Sequence, residues 1–352
     1  MSARSVLKAI NKNKYDVTLI GITKEGKWIG GENPVKALES GEAATAPAAA
    51  LLGEPQFRAL MQVAETPGSR AITLSSVAEL DVIFPLLHGT FGEDGTVQGL
   101  LELANIPYVG AGVVGSAVGM EKGIFKALMQ SAGVPVPKWI VALRSEIEKD
   151  VATVIAKAEA LGPYPLFTKP ANLGSSVGVV KVHGRDEMAA ALQESARWDR
   201  RVLIEQGINA REIEVSVLGN DDPIASIPGE IIPGHEFYDY EAKYIDESSR
   251  LLIPAPLDEE TTKRAQELAV TAFKAIDGAG MARVDFLLDK DSGELYVNEL
   301  NTIPGFTQIS MYPKLWEASG LSYSELIDRL IELALERQAD KDRTERNFEV
   351  KK

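Results

Sequence analysis

The 352-residue chain contains no cysteine. That absence excludes disulfides, a thiolate nucleophile and any cysteine-based metal centre, and it fits a reducing cytoplasm. Positive charge is also scarce: 37 Lys and Arg face 51 Asp and Glu, a net of −14 with no basic block. Nucleic acid is therefore not expected as a partner, because phosphate neutralisation needs clustered Lys and Arg. An acidic total gives no long-range pull on an anionic ligand either, so any phosphate site has to be built locally. No run approaches 18 uninterrupted apolar residues, and the opening MSARSVLKAINKNKYDV lacks the apolar stretch of a signal peptide. Neither a membrane span nor a secretory leader is expected, and the reading is cytoplasmic. Internal repeats, low-complexity tracts and a Walker G-x-x-x-x-G-K-[ST] are missing too.

What is present reads as a globular protein of two or three domains, with 45% hydrophobic and 25% charged residues. Up to about residue 112, strand-like YDVTLIGIT, LDVIFPLLHG and IPYVG alternate with helical SARSVLKAI and VQGLLELA. This alternation argues for an open α/β sheet, although a helix that begins at residue 2 is unusual for a βαβ arrangement. The alanine-rich EAATAPAAALLGEPQ reads as an irregular excursion or short helix. From Glu121 onward helices and strands mix. In DEETTKRAQELAVTAFKAI, Ala265, Leu268, Ala269, Ala272, Phe273 and Ile276 form one stripe behind an Asp258 N-cap. LSYSELIDRLIELALERQ is a last helix, with Ser322 and Glu325 spaced as a capping box.

ARVDFLLDKDSGELYVNEL reads as strand, turn, strand, with DKDSG as the turn. A turn centred near Ser292 puts Asp285 opposite Glu299, with Cβ atoms roughly 5 Å apart. Like charges so placed repel unless a cation lies between them. Asn301 continues the face of Glu299, and Arg283 that of Asp285. Three oxygen donors and a guanidinium on one patch suit metal-assisted phosphate chemistry better than structure. The Pro-Gly loop of NTIPGFT follows at once.

FTKPANLGSSVGVVKV sets Lys169 at a strand end before a loop of glycines and serines, whose N–H and hydroxyl groups can close on phosphate oxygens. It reads equally as a plain hairpin. GAGVVG matches G-x-G-x-x-G, but the preceding strand is short and no acidic residue follows where a ribose needs one, so a dinucleotide site is discounted. Taken singly, Lys122, Lys169 and Lys243 read as solvated side chains; converging on the acidic hairpin they would make a triphosphate–Mg²⁺ site. Glu205 in RVLIEQGI is either a stray carboxylate on a buried strand or a group reading an adenine edge.

LLHGTFGEDGTVQGLLE, FTKPANLGSSVGV, IPGEIIP, EFYDYEAKY, RVDFLLD and VNELNTIPGFT with SMYPKLW resemble the D-alanine–D-alanine ligases of the ATP-grasp superfamily, from about residue 2 to about 338. The resemblance implies a Rossmann-like parallel-sheet domain over 1–112 lacking its first strand. It further implies a central ATP-grasp domain over 113–207 and a C-terminal one over 208–352, whose two antiparallel sheets clasp ATP. It implies that ATP converts one D-alanine to an acyl phosphate, which the amine of a second attacks, and that the product serves peptidoglycan synthesis. By the same resemblance Asp285, Glu299 and Asn301 hold two Mg²⁺ ions, with Mn²⁺ an alternative. Lys122, Lys169 and Lys243 bind phosphate, Glu205 adenine and Glu212 ribose. Ser175 and Ser176 lie in the loop over the phosphates, with Ser175 directed toward Tyr244. Arg283 and the Gly305 N–H stabilise the oxyanion. Ser310 and Met311 hold the second carboxylate, and His88 and Glu93 border the first-substrate pocket. Residues 235–250 match a mobile lid, and pairing of two chains through the first domain is the family habit. Tyr244 argues for an amine rather than a hydroxyl nucleophile.

The chain departs from the family at its start. Relatives place a strand, a GG-type loop and a glutamate of an EHEVS-like motif just before the equivalent of SARSVL. That glutamate meets the ammonium of the first D-alanine, a charge-assisted contact worth on the order of 1.5–3 kcal/mol. Either the chain as written is shorter than the working protein, or it is a variant that binds nucleotide with impaired ligation. A D-alanyl-D-lactate or other ATP-grasp ligase is the remaining alternative.

Overall fold

The computed structural model describes residues 1–65, 71–174, 176–232 and 250–345. In the first part of the chain these are α1 (Ser2–Ala9), β1 (Gly21–Ile22), β2 (Trp28–Ile29), α2 (Pro34–Ser40), β3 (Ala48–Leu51), β4 (Ala59–Glu65), β5 (Ile72–Glu79), α3 (Thr96–Ala104) and α4 (Val113–Met120). Their strands pair in sequence order, each antiparallel to the next. An open parallel sheet was the expectation here, and the described pairing differs. YDVTLIGIT contributes only Gly21 and Ile22, and the alanine-rich segment supplies β3 instead of a helix. LDVIFPLLHG makes a single parallel bridge, Ile83 to Tyr108, with Ile83 N–H donating to Pro107 O at 2.8 Å and Val109 N–H to Ile83 O at 2.9 Å. Continuing that ladder needs an N–H from residue 85, which is proline and has none.

The central part comprises α5 (Lys122–Ser131), β6 (Trp139–Leu143), α6 (Arg144–Lys149), α7 (Val151–Glu159), β7 (Leu166–Pro170), β8 (Val180–Val182), α8 (Arg185–Trp198) and β9 (Arg201–Gln206). The strands form an antiparallel sheet in the order β6-β9-β7-β8. Alternation divides each strand between two faces. Leu166, Val202 and Ile204 pack on Val154, Ala158, Met188 and Leu192 of the helices. Phe167, Lys169, Leu203 and Glu205 therefore point the other way.

The last part holds β10 (Ala210–Gly219), β11 (Ile224–Ala225), β12 (Gly229–Ile232), β13 (Arg250–Leu252), α9 (Glu259–Ala275), β14 (Gly280–Asp289), β15 (Leu295–Asn301), α10 (Met311–Ala318) and α11 (Tyr323–Lys341). Its antiparallel sheet runs β13-β12-β10-β14-β15, with β11 beside β10. The anticipated stripe of α9 is buried against Val215, Val217, Ala282, Val284 and Phe286, and the Asp258 carboxylate caps α9 by accepting from Thr261 N–H at 2.7 Å. Each large apolar side chain so buried contributes about 1.5–3 kcal/mol, so Phe273, fully enclosed, anchors the layer. The opposite face of β14 carries Arg283 and Asp285, half-buried rather than packed under helix.

GAGVVG opens α4 and serves packing. A Cβ on Gly115 would sit 2.9 Å from Asp277 O, so glycine lets α4 lie directly on the turn before β14.

Candidate active site

The hairpin of β14 and β15 turns through 290–294, and its register pairs Asp285 with Glu299 and Arg283 with Asn301, as expected, although the pairs nearest the turn, such as Phe286 with Val297, run one residue out of step with these. β10 extends both rows: Glu214 lies beside Asp285, and Ser216 beside Arg283. Three carboxylates thus cross three adjacent strands. Arg283 sits among them, with Nε and Nη2 each 2.6 Å from the Asp285 oxygens and Nε 3.0 Å from Glu214 Oε2. Burial works against the guanidinium charge, but Asp285 and Glu214, with Glu299 behind them, push its pKa further above the ordinary value. Asn301 Nδ2 donates to Asp285 Oδ2 at 3.0 Å.

A β-bulge interrupts the ladder here, because β15 advances from Val297 to Glu299 while β14 moves only from Phe286 to Asp285. The extra residue is Asn298. The phase shift buries both Val297 and Leu300 in the core while Asn298, Glu299 and Asn301 stay half-exposed on the cleft side.

Facing this hairpin is the cleft side of the central sheet. Glu205 on β9 is 2% exposed and lies between two lysines. Lys126 of α5, 1% exposed, holds its Nζ 2.9 Å from Glu205 Oε2, and Lys169 of β7 pairs with Oε1. Burial alone would raise the Glu205 pKa; the two ammonium groups reverse that and hold it at about 2. Glu205 is thus no stray carboxylate. Both lysines also reach Asn298, Lys169 its Oδ1 at 3.3 Å and Lys126 its backbone O at 3.4 Å. The bulged residue therefore joins the two sheets.

Lys122 begins α5 and donates through Nζ to Leu173 O at 2.5 Å, at the entry to the glycine-rich loop. Ser176 in that loop adopts φ 57°, an unfavourable conformation for a non-glycine residue. Gly178 at φ 71° passes so close to Trp198 that a Cβ would meet its ring at 2.5 Å. Glu212 lies on the same face of β10 as Glu214, one pleat toward the start of the strand. Glu93 is drawn to the hairpin's side of the molecule, and its pKa is raised to about 7. Burial is the main cause, with Glu299 adding to it while the Gly89 N–H, Arg283 and Lys122 oppose it.

His88 donates from Nδ1 to Ile303 O at 3.1 Å, which fixes the Nδ1–H tautomer, and burial lowers its pKa. The Pro-Gly loop is anchored by Phe306, fully buried against Phe84, Tyr312 and Tyr323. A Cβ at Gly305 would lie 3.0 Å from Ser310 Oγ, which in turn accepts from Thr307 N–H at 3.1 Å. Ser310 heads α10. The side chain of Met311 is buried with Ile231 and Leu315, so this residue offers the site only its backbone. Ser175, Lys243, Tyr244 and the lid over 235–250, apart from Arg250, lie outside the described residues.

A family model described as D-ala D-ala ligase N-terminus matches residues 1–111, and one described as D-ala D-ala ligase C-terminus matches residues 128–332. The chain belongs to the D-alanine–D-alanine ligase family. It is 51% identical over 364 residues to the D-alanine–D-alanine ligase of Acetivibrio thermocellus, covering 97% of this chain and 92% of that one. The Heliobacterium modesticaldum ligase is 50% identical over 342 residues with the same coverage. Among solved structures, the D-alanine–D-alanine ligase of Coxiella burnetii superposes with a TM-score of 0.79 at 36% identity, covering 97% of this chain and 91% of that one. The VanG D-Ala:D-Ser ligase of Enterococcus faecalis gives 0.81 at 38% identity, with 95% and 94% covered. The two clasping antiparallel sheets are those of the ATP-grasp ligases.

Three residues of this ligase-family site escaped sequence reading. Glu214 was visible in the alternation of REIEVSVLG, where Glu212, Glu214 and Ser216 share the face opposite Ile213, Val215 and Val217. Lys126 falls four residues after Lys122 on one helix and so shares its face. Asn298 had no local signal, because regular alternation gives it no place beside Glu299.

A divalent cation fits the hairpin's donors. Among the described residues no three His, Cys, Asp or Glu side chains form a cation cage. Two facing carboxylates and an amide are instead a sparse, hard oxygen set. Such a set suits Mg²⁺, which keeps waters and takes further oxygens from a phosphate.

Proposed function

We infer that the chain joins two D-alanine molecules into D-alanyl-D-alanine, consuming ATP to ADP and phosphate, for peptidoglycan precursor synthesis. The observation that carries this reading is the pairing of two partly buried clusters of opposite surplus charge across one cleft: Glu214, Asp285 and Glu299 around Arg283, and Lys126 and Lys169 around Glu205. One cluster suits cations and the other phosphate, which together hold a triphosphate against an acid.

A carboxylate is a poor electrophile at neutral pH, so the first D-alanine accepts the terminal phosphoryl group and becomes an acyl phosphate. The amine of the second D-alanine then attacks, and phosphate leaves from a tetrahedral adduct. Catalysis of this kind is mostly positioning and charge stabilisation. Lys122, Lys169 and Lys243 bind the phosphates, and Ser175 and Ser176 line the loop over them. Glu205 and Glu212 serve the nucleoside end. Arg283 and the Gly305 N–H bear on the oxyanion. His88 and Glu93 border the first D-alanine, while Ser310 and the Met311 backbone receive the second carboxylate. Asp285, Glu299 and Asn301 would hold Mg²⁺, two ions in this reading with Mn²⁺ a substitute, and it would neutralise the charge that gathers on the transferring phosphate. Tyr244, partnered with Ser175, favours an amine acceptor, and closure of the 235–250 lid keeps water from the acyl phosphate.

Three units over 1–112, 113–207 and 208–352, a cytoplasmic location and a homodimer complete the proposal. No helix among the described residues is long and apolar enough to cross a membrane. Nucleotide binding without ligation and a D-lactate ligase are not favoured, because the likeness spans both halves of the family.

The deciding experiment is steady-state phosphate release from ATP with D-alanine alone, then with D-serine or D-lactate added as second substrate. Release that depends on D-alanine, with dipeptide formed, is expected. Release indifferent to D-alanine would overturn the reading, and dominance of D-lactate at neutral pH would overturn the choice of acceptor.

A further inference from the structure

Lys126 is a cation where helix packing alone calls for none. It lies on α5 between Phe125 and the next core position, Met129, both enclosed, and is itself 1% exposed. Burying an ammonium is costly, and a buried ion pair replaced as a whole by apolar side chains of similar volume is often as stable or more so. Stability therefore gives little reason for a lysine here, and its contacts point elsewhere. Its Nζ lies 2.9 Å from Glu205 Oε2 and 3.4 Å from the backbone oxygen of Asn298, the residue before Glu299. Glu205 Oε1 is taken by Lys169, which also donates to Asn298 Oδ1 at 3.3 Å.

Charge counting gives this arrangement a purpose. Glu205 with Lys169 alone is a neutral pair, and a lysine so neutralised attracts phosphate weakly. Adding Lys126 leaves the group with one surplus positive charge. In a chain of net charge −14, such a surplus has to be made locally.

We propose that Lys126 is a positioning residue of the nucleotide site: by taking one oxygen of Glu205 and the backbone of Asn298, it leaves the charge of Lys169 available to the phosphates of ATP and holds β9 against the bulge of β15. The proposal rests on the ligase reading for the identity of the ligand. Lys126 itself need not touch ATP.

The test compares the full chain with Lys126→Met, Glu205→Gln and the double variant. Readouts are KM for ATP and D-alanine, ATP affinity by calorimetry and Tm. Lys126→Met is expected to weaken ATP about tenfold, the order set by losing one unit charge near the phosphates at a protein-like dielectric. KM for D-alanine should stay within about twofold, since a charge acts most on the ligand it faces, and Tm should fall, because Glu205 Oε2 loses its buried counter-charge. The double variant again carries one surplus positive charge, and glutamine keeps a carbonyl acceptor in place of Glu205. It should therefore bind ATP better than Lys126→Met, and it carries the comparison with the unaltered chain should Lys126→Met fail to fold. Unchanged ATP affinity in Lys126→Met would overturn the proposal. So would a double variant that binds ATP no better than Lys126→Met, or, where that variant is unfolded, one far weaker than the unaltered chain. Calorimetry reads this result independently of turnover, so absence of D-alanine-dependent phosphate release overturns the ligase reading alone.

Discussion

The two faces of the cleft solve one problem with opposite signs. On the C-terminal sheet an arginine sits among three carboxylates in a strand-to-strand row; on the central sheet one carboxylate sits between two lysines. Each cluster is compensated enough to stay largely out of water, and each keeps a surplus. Buried charge without a partner is expensive, so neither surplus could persist as an isolated group. The minority charge makes it tolerable: Arg283 lets three acids stand together, and Glu205 does the same for two lysines. In the proposed function the surplus that remains selects the ligand, cations on one side and phosphate on the other.

The strongest way to break this comparison is Arg283→Lys. Lysine cannot reproduce a guanidinium that meets both oxygens of Asp285 and reaches Glu214 as well. In the proposed reaction the same group also bears on developing oxyanion charge. A fall in kcat of about 10²–10³ is expected, the usual cost of a lost transition-state donor. Near-normal kcat would reduce Arg283 to a counter-ion for its neighbours and leave the acidic side without a catalytic cation.

Glu93 lies within the field of the acidic cluster and of Lys122, and it sharpens the comparison through pH. Its folded-state pKa of about 7 stands above the ordinary 4.5, mainly through burial, with Glu299 adding repulsion. The folded chain therefore binds this proton more tightly than the unfolded one. Stability from this group is greatest below about pH 4.5, falls as pH rises to about 7, and stays low above that. Glu93→Gln removes the slope. Urea melts without divalent cation at pH 5 and pH 8 should show the variant gaining about 2 kcal/mol on the unaltered chain over that interval. Parallel pH curves would mean that Glu93 is solvated and outside the field of the hairpin.

The smallest effect comes from a residue remote from both clusters. Ser322 caps α11 by accepting the Glu325 N–H, while the Glu325 carboxylate takes the Ser322 N–H at 3.0 Å. Ser322→Ala should cost about 1 kcal/mol of stability with both KM values unchanged. A change in ATP affinity there would show that packing alone moves the cleft, and the charge comparison would lose its force.

Much of this was legible in the chain. The hairpin with its turn at Asp289–Gly293 and the stripe on α9, which announced the face of β14 that lies under helix, were both readable, although the bulge rather than the turn settled that Asp285 meets Glu299 instead of Asn298. Both follow from short-range periodicity and turn chemistry. The N-terminal region misled, because strand-like composition in LDVIFPLLHG concealed that Pro85 ends its parallel ladder after one bridge. The alanine-rich stretch misled in the opposite direction, since alanine has no strand preference and Ala48–Leu51 form β3 through pairing with β2 and β4.

Sequence alone determined most elements of the central and C-terminal parts, the acidic hairpin and the family to which the chain belongs, because each is written in spacings of a few residues. Tertiary structure alone decided that Glu214 completes the acidic row, that a bulge turns Asn298 toward the cleft, and that Lys126 meets it from 172 positions away. The physical reason is range. Alternation and capping are local rules, whereas the compensation of a buried charge depends on whichever distant side chain the folded sheets bring within a few ångströms.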